Sequence, residues 1–469
     1  MSELPTGWVD IAIGEISDVI AGGTPKANDA SNFALPGKGI AWLTPADLSG
    51  YKQKEISKGS RDLSQKGYDS CSAKLMPKGS LLFSSRAPIG YVALAANEIS
   101  TNQGFKSFVF PAEVDPTYAF FFLKSIRELA DSLGTGTTFK ELSGTTAKTL
   151  PFRLAPTNEQ IRIAQKLDEL LAQVDTLKAR IDAIPFLLKR FRQSVLASAT
   201  SGRLTEEWRA HRISREITAE QTCGDGSFPP DWKVRPLKKL VTKIEQGWSP
   251  KCESVSASDD EWAVIKTTAI QPISFGPLEN KKLPTTLLPR PELSIVIGDI
   301  LITRAGPRSR AAVCCYVKAT QPKLMVCDKA YRFRAVEEEF SGLLLCYFLN
   351  SPQFVRALDD LKTGISESGV NLTMKKFQDL ELPQPPTEEQ TEIVRRVEQL
   401  FAFADQLEAK VASAKSRIDH LTQSILAKAF RGELVPQDPN DEPASVLLKR
   451  IKAQRAAAPK AKRGRKVSA

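Results

Sequence analysis

Few residues in this chain could carry covalent chemistry, and more of them could hold a polyanion. Only two histidines occur, His211 and His420. The first lies in a charged stretch that reads as a linker and the second on a long helical segment. Neither placement suits a Ser-His-Asp or Cys-His arrangement, and a His-rich zinc site is excluded. The G-x-x-x-x-G-K-[ST] phosphate loop is absent, since Gly37-Lys38-Gly39 and Gly22-Gly23-Thr24-Pro25-Lys26 lack its spacing. No N-P-P-[YF] or D-P-P-[YF] tetrapeptide occurs, the pattern with which amino-methyltransferases hold a flipped base. Seven cysteines (Cys71, Cys223, Cys252, Cys314, Cys315, Cys327, Cys346) form an odd set without a C-x-x-C pair, which suits reduced, mostly buried thiols. The chain is expected to perform no chemistry alone and to bind no metal or cofactor.

Residues suited to binding are better represented. Arg304, Arg308 and Arg310 cluster around Gly306 and Pro307 after a predicted strand, where guanidinium forks could meet guanine edges or phosphates; a solvated turn has the same composition. Arg86 stands just past the corresponding strand of the first half. Two further loops, Gly134-Thr135-Gly136-Thr137-Thr138 with Lys140, and Lys362 to Gly369 with Ser366, Ser368 and Asn371, precede the two long helical segments at equivalent places. Glycines, hydroxyls and a nearby Lys allow close backbone approach to phosphate, though flexible loops also use them. The turns near Lys26 and Lys251 read as plain turns.

The elements that must position these loops are duplicated. One 4-3 apolar ladder runs Ile163, Leu167, Leu170, Val174, Leu177, Ile181, Ile184, Leu188, Phe191, Val195. A second, 230 positions on, runs Ile393, Val397, Leu400, Ala404, Leu407, Val411, Ala414, Ile418, Leu421, Ile425. Steps averaging 3.5 residues keep one stripe facing a partner helix and predict a coiled coil. Pseudo-twofold symmetry within one chain makes that pair antiparallel. About 42 residues at 1.5 Å rise give rods of roughly 60 Å. Thr157 with Gln160 and Thr387 with Gln390 have capping-box spacing, and Gly202 and Gly432 sit where a left-handed residue ends a helix. Pro185 predicts a kink or brief interruption of the first rod.

The repeat also opens both globular segments. Leu4-Pro5-Thr6-Gly7-Trp8 returns as Phe228-Pro229-Pro230-Asp231-Trp232, and Gly79-Ser80-Leu81-Leu82-Phe83-Ser84 as Gly298-Asp299-Ile300-Leu301-Ile302-Thr303. The expected architecture is α+β: two globular α/β segments (1–155 and 227–385) joined by two long helices (156–204 and 386–434) in an antiparallel coiled coil, an internal pseudo-twofold repeat. Residues 205–226 read as a linker. Residues 435–469 read as a short helix, from Ala444 to about Ala456, and a basic disordered tail.

The net charge of +11 is unevenly placed. From Lys449 to Ala469 there are nine Lys or Arg and no acidic residue, which leaves +2 on the other 448 residues. Any DNA surface must therefore be a local patch on a nearly neutral body. No apolar run is long enough to span a membrane and no signal peptide is read, so a cytoplasmic location is expected.

Two helical passages resemble a known family. Pro156-Thr157-Asn158-Glu159-Gln160-Ile161 leads into Leu170-Leu171-Ala172-Gln173-Val174-Asp175 and then Leu188-Lys189-Arg190-Phe191-Arg192-Gln193-Ser194-Val195-Leu196. This is similar to the central conserved region of type I restriction-modification specificity subunits, most of all the K-12-like (type IA) subgroup. The stretch from Glu389-Gln390 through Phe401-Ala402-Phe403-Ala404-Asp405, with Gln423-Ser424-Ile425-Leu426-Ala427-Lys428-Ala429-Phe430-Arg431-Gly432, resembles the distal conserved region.

The resemblance implies that each globular segment is a target recognition domain and that the helices act as a ruler between two half-sites separated by unread DNA. The half-sites should differ, because the two domains do. The resemblance further implies docking of two modification subunits, which bring S-adenosylmethionine and methylate adenine, and of restriction subunits, which use ATP and Mg to translocate and cleave. One specificity subunit with two modification subunits would form the methyltransferase, and two restriction subunits would complete the nuclease, on double-stranded DNA and with no membrane. A scaffold that merely spaces two protein-binding domains is the competing reading; an autonomous methyltransferase or nuclease is opposed by the missing motifs. Replacing Arg304 with Ala is expected to relax one half-site and spare the other in a binding-selection experiment. Equal loss on every sequence would mark a phosphate contact instead.

Overall fold

Each globular segment is closed by pairing its first strand with its last. Val9–Ala12 runs antiparallel to Pro151–Leu154, with Val9 opposite Leu154. Lys233–Pro236 runs antiparallel to Glu381–Gln384, with Lys233 opposite Gln384. Both last strands lead directly into a long helix, Thr157–Thr200 or Thr387–Ala429. The computed structural model describes residues 4–86, 88–136, 140–213, 228–364 and 369–457. The chain forms two compact units: Met1–Ile181 with Ser413–Ala469 (unit 1), and Asp182–Ala412 (unit 2).

In unit 1 a five-stranded sheet has the order Asp18–Ala21, Lys106–Val109, Leu81–Ser85, Ile89–Ala95, Glu55–Ile56. In unit 2 a four-stranded sheet has the order Glu245–Gln246, Ala330–Phe333, Ile300–Thr303, Cys314–Tyr316. The Leu81–Ser85 and Ile300–Thr303 strands are wholly buried, each opening with three apolar residues and ending in buried hydroxyl side chains. A helix packs into each core, Pro116–Ser125 in unit 1 and Gly342–Leu349 in unit 2, each capped by a side chain, Asp115 or Ser341. Six cysteines are described and none is bridged; Cys314, Cys315, Cys327 and Cys346 are buried. Cys223 lies outside the described residues.

The start of each long helix is held by the same buried clamp. Trp8 Nε1 donates to Glu159 at 2.9 Å, and Trp232 Nε1 donates to Glu389 at 2.9 Å. The next residue, Gln160 or Gln390, does not act as the capping-box partner that the spacing predicts. Gln160 Oε1 accepts from the backbone N–H of Asp115 at 2.9 Å and its amide donates to the Ala155 carbonyl; Gln390 Oε1 accepts from Ser341 N at 2.7 Å and its amide donates to the Pro385 and Glu339 carbonyls. Each glutamine thus ties the long helix to the N-terminus of the core helix. An orphan N–H arriving from about 45 residues away wins over the local cap.

Within each unit the long helices pack antiparallel. In unit 1, Lys178 pairs with Asp419 at 2.8 Å, while the ladder residues Ile163, Leu167, Val174, Ile418 and Ile425 share one core. In unit 2, Arg192 bridges Asp405 and Glu408 at 2.5 and 2.9 Å, while Val195, Ile393 and Val397 join the second core. Ladder residues Leu170, Leu400 and Leu407 are half-buried and Ala404 is buried, but Leu177 and Leu421 are exposed, contrary to the ladder's prediction. Their ladder neighbours on both sides, Val174 and Ile181, Ile418 and Ile425, remain covered, so the two exposed positions are local gaps in an otherwise continuous stripe.

Three further expectations need revision or completion. The first long helix continues through Pro185 without the brief interruption that is one of the two expectations there; one missing N–H costs a single bond, to the Ile181 carbonyl, and Ile184 and Leu188 on the same ladder stay covered. The linker begins later than predicted, because Glu206–Ile213 is helical. Arg209 on this helix pairs with Glu389 and donates to the Gly202 carbonyl at 2.6 Å, and Thr205 donates to Glu389 at 2.6 Å. Gly202 and Gly432 do take left-handed φ, +75° and +73°, and a helix spans Ala444–Ala457, where Ala444 N donates to the Gly7 carbonyl at 2.8 Å.

The two clamps differ in charge balance. Glu389 is matched by Arg209, whereas Val435 and Pro439 occupy the positions 230 residues beyond Thr205 and Arg209. Glu159 is 1% exposed, and its second carboxylate oxygen is buried and receives no guanidinium hydrogen bond of the kind Arg209 gives Glu389. Burial raises its pKa, against the lowering effects of the Trp8 hydrogen bond, the nearby Arg162 charge and the Gln437 amide. Between the unfolded and folded pKa values the folded unit binds more proton than the unfolded chain, so the contribution to stability is greatest below the unfolded carboxylate pKa and is lost as pH rises through the folded value. Glu159→Gln, which keeps an acceptor for Trp8, should raise unit 1 stability at pH 7 and flatten this pH dependence in urea titrations followed by hydrogen exchange. Glu389→Ala should instead lower unit 2 stability by about 3 kcal/mol, because it strands the Arg209 charge.

Candidate nucleic-acid interface

Four chain segments meet at one end of each sheet, and backbone contacts fix how they meet. In unit 1 the glycine turn after the Asp18–Ala21 strand lies against residues 101–103. Gly23 N donates to the Thr101 carbonyl at 2.9 Å, and a Cβ on Gly22 would fall 1.9 Å from Asn102 O. In unit 2, Trp248 N donates to the Val326 carbonyl at 2.9 Å, and a Cβ on Gly247 would fall 2.1 Å from the same oxygen. The strand ends match too: Ser85 N donates to Gly104 O and Ser85 O accepts from Leu142 N, as Arg304 N donates to Lys329 O and Arg304 O accepts from Leu372 N. Arg304 is therefore equivalent to Ser85, and Arg86 lies one position further on.

A side-chain hydrogen bond latches each turn to its neighbour loop across the same 79-residue separation. Thr24 Oγ1 donates to Gln103 Oε1, and Ser249 Oγ donates to Asp328 Oδ1. Lys26 and Lys251, two residues past these hydroxyls, are exposed. In unit 2 the adjoining groove is lined by Ser249, Lys266, Thr267, Lys281, Asp328 and Lys329. The two turns, which read as ordinary from sequence, are thus built features of both units. Their shared spacing was the available signal.

The residues singled out from sequence divide by what already occupies them. Arg310 donates to the carbonyls of Thr267 and Ile270 at 2.7 and 2.8 Å and to Gln271 Oε1 at 3.2 Å, so it braces that turn. Lys362 has a buried side chain that donates to Asp359 at 2.7 Å and to the Arg308 carbonyl at 3.0 Å, while Arg308 donates to Asp359 at 2.7 Å. Lys362 first, and then Arg308, hold the Asp359 carboxyl below the usual range. Arg304 donates through Nε to the Asp328 carbonyl at 2.7 Å and lies 5.9 Å over the Tyr331 ring. Asn371 is exposed on a short strand that pairs with Ala305–Gly306 and Lys362–Thr363.

In unit 1, Thr135 and Glu141 exchange backbone hydrogen bonds of 3.0 and 2.8 Å. Glu141 lies 3.5 Å from both Arg86 and Lys106, and Lys140 pairs with Asp131 at 3.0 Å. Thr137, Thr138, Ser366 and Ser368 lie outside the described residues. No cluster of three or more His, Cys, Asp or Glu able to hold a metal occurs among the described residues, and no described helix is long and apolar enough to cross a membrane.

A duplicated α/β segment with a polar, partly cationic strand end, mounted on paired long helices, defines a class that comparison with known proteins makes specific. The family model described as "Type I restriction modification DNA specificity domain" matches residues 5–185 and again 229–414. The chain is 30% identical to the EcoKI specificity subunit of Escherichia coli K12 and 30% identical to the StySPI specificity subunit of Salmonella potsdam, over 99% of this chain and of each relative. It is 35% identical to the EcoBI specificity subunit of Escherichia coli over 70% of this chain and 69% of that one.

The fold matches a chain solved in work on complex assembly and conformational transition of the type I R-M system, with TM-score 0.60 and 17% identity, covering 92% of this chain and 100% of that one. It also matches the HsdS subunit from Thermoanaerobacter tengcongensis, with TM-score 0.54 and 19% identity, covering 92% and 98%. The chain belongs to the family of type I restriction-modification specificity subunits.

Because Arg310 is committed to the 267–271 turn, Arg310→Ala should speed amide exchange at Ile270 and Gln271. Arg310→Lys should not restore protection, since one ammonium cannot reproduce the planar fork.

Proposed function

We propose that this chain reads DNA sequence for a type I restriction-modification complex, binding a two-part, gapped, asymmetric target on double-stranded DNA. The observation that carries the reading is the duplicated scaffold whose two ends carry different side chains: Gln103 and Ser85 in one unit, Asp328 and Arg304 in the other. Identical frames with unlike reading surfaces suit two unlike half-sites. The long helices serve as a ruler between two target recognition domains, and their outer faces receive two modification subunits. Exposed Phe186, Leu187 and Phe403 on those helices supply apolar surface of the kind protein partners cover.

The chain itself contributes no catalytic group. S-adenosylmethionine belongs to the modification subunits, and ATP and Mg to the restriction subunits. Two modification subunits on one copy of this chain make the methyltransferase, two restriction subunits complete the larger assembly, and both work in the cytoplasm. Exposed Lys251 and Lys329 flank the latched loop of unit 2 and contribute phosphate attraction there.

Co-expression with the modification subunit in a methylation-free host should produce one gapped, two-part methyladenine motif across the genome, lost when this chain is omitted. A stable co-purified complex that leaves DNA unmethylated would favour a protein-spacing scaffold instead. In salt titrations of the purified complex, Lys251→Ala and Lys329→Ala should each weaken binding on all sequences. Each should also lower the slope of log K against log salt by about 0.9, one phosphate contact's share.

A further inference from the structure

The latched pairs at the strand ends hold one side chain each in a defined position with unused hydrogen-bonding capacity. Gln103 is exposed, and its Oε1 accepts from Thr24. No partner for its Nε2 occurs among the described residues. An amide oxygen has a second lone pair, so Gln103 still offers one acceptor and two donors side by side. Asp328 is half-buried, and its Oδ1 accepts from Ser249 at 2.5 Å. Its Oδ2 has no partner among the described residues. The Asp328 backbone is held as well, since its N–H donates to Ser249 Oγ at 3.1 Å and its carbonyl accepts from Arg304 Nε at 2.7 Å.

Asp328 lines its groove with Lys266, Lys281 and Lys329, yet among the described residues it forms no close ion pair with any of them; Lys266 turns to Glu279 at 3.7 Å. A carboxylate placed toward a polyanion is repelled unless it meets a donor, and the one base edge offering only a donor in the major groove is the cytosine amino group. The amide of Gln103 has the complementary donor and acceptor for the adenine N7 and N6 edge. The surrounding lysines offset the carboxylate's repulsion from the phosphates.

We propose that Gln103 and Asp328 are equivalent specificity-determining residues, one in each unit, aimed at a base edge by the hydroxyl of the neighbouring glycine turn. Gln103 reads adenine and Asp328 reads cytosine, and this difference contributes to the asymmetry of the two half-sites. The assignment rests on the DNA-reading function proposed above.

The test uses the full chain with its modification subunit in a methylation-free host, with methyladenine mapping as the readout. Gln103→Glu and Asp328→Asn are isosteric and keep an acceptor for Thr24 or Ser249, so the fold is retained. Gln103→Glu should shift one base pair of one half-site from adenine toward cytosine. Asp328→Asn should shift one base pair of the other half-site from cytosine toward adenine. Each leaves the opposite half-site and the gap unchanged. Discrimination at the affected pair should fall roughly 5- to 150-fold, which corresponds to about 1–3 kcal/mol per base contact.

Thr24→Val and Ser249→Ala release the latch and should loosen those same two base pairs, an outcome that a merely structural role would not produce. Unchanged motifs in both isosteric variants, or equal loss of methylation at every site, would overturn the assignment. If the wild-type complex writes no gapped motif, the DNA-reading function itself fails, and this assignment falls with it.

Discussion

The structure depends on a buried hydrogen bond from an indole to a carboxylate at the first turn of each long helix. Trp8 and Trp232 stand just before the strand that closes their unit, and Glu159 and Glu389 stand three residues past the proline that precedes the long helix. The bond joins the residue just before the first strand to the first turn of the helix that follows the last strand, so it couples sheet closure to helix entry. The carboxylate also sits at the positive end of the helix dipole, which offsets part of the cost of burying it. The adjoining glutamine extends the hold to the core helix. Three elements distant in sequence are thereby fixed at one point, and the remainder of each unit is arranged around it.

That fixed frame separates support from recognition. Glycines at 22 and 247 let backbone approach backbone so closely that no side chain fits between, and the resulting contacts involve N–H and C=O groups common to all residues. The side chains nearby are consequently free to differ. Thr24 is exchanged for Ser249 and Gln103 for Asp328 with the hydroxyl latch retained, while Ser85 is exchanged for Arg304 with the strand-end hydrogen bonds retained. At these positions charge enters one unit and not the other, while the backbone hydrogen bonds that frame them are shared.

Much of the frame was legible in the sequence because it rests on periodicity and local chemistry. The 4-3 ladders marked both long helices, Gly202 and Gly432 marked their ends, and the run after Ala444 marked the last described helix. What escaped were contacts between residues far apart in sequence. The Thr-x-x-Gln spacing suggested a local cap, but the backbone donors at Asp115 and Ser341 arrive from another element. Arg209 looked like part of a charged linker until its partner Glu389, 180 residues away, was in place. The arginines near Gly306 looked alike, yet only geometry separates Arg310, which braces a turn through three acceptors, from Arg304, which holds the loop of Asp328. The 230-residue offset of the helices is not the offset of the strand ends, because the loops between differ in length.

Unit 2 is one continuous stretch of chain, whereas unit 1 is assembled from two stretches with the whole of unit 2 between them. On a ribosome, which delivers a chain from its N-terminus, the second domain to be synthesised is the first that can be finished. The opening domain must wait, with the surface intended for Ile418, Ile425 and Phe430 uncovered, until the far end of the second helix emerges. Domains tend to fold as they appear, and exposed apolar surface invites chaperones and aggregation in the interval. The discontinuity that lets one polypeptide imitate a symmetric pair therefore sets its order of birth, and slow translation should burden the two domains unequally.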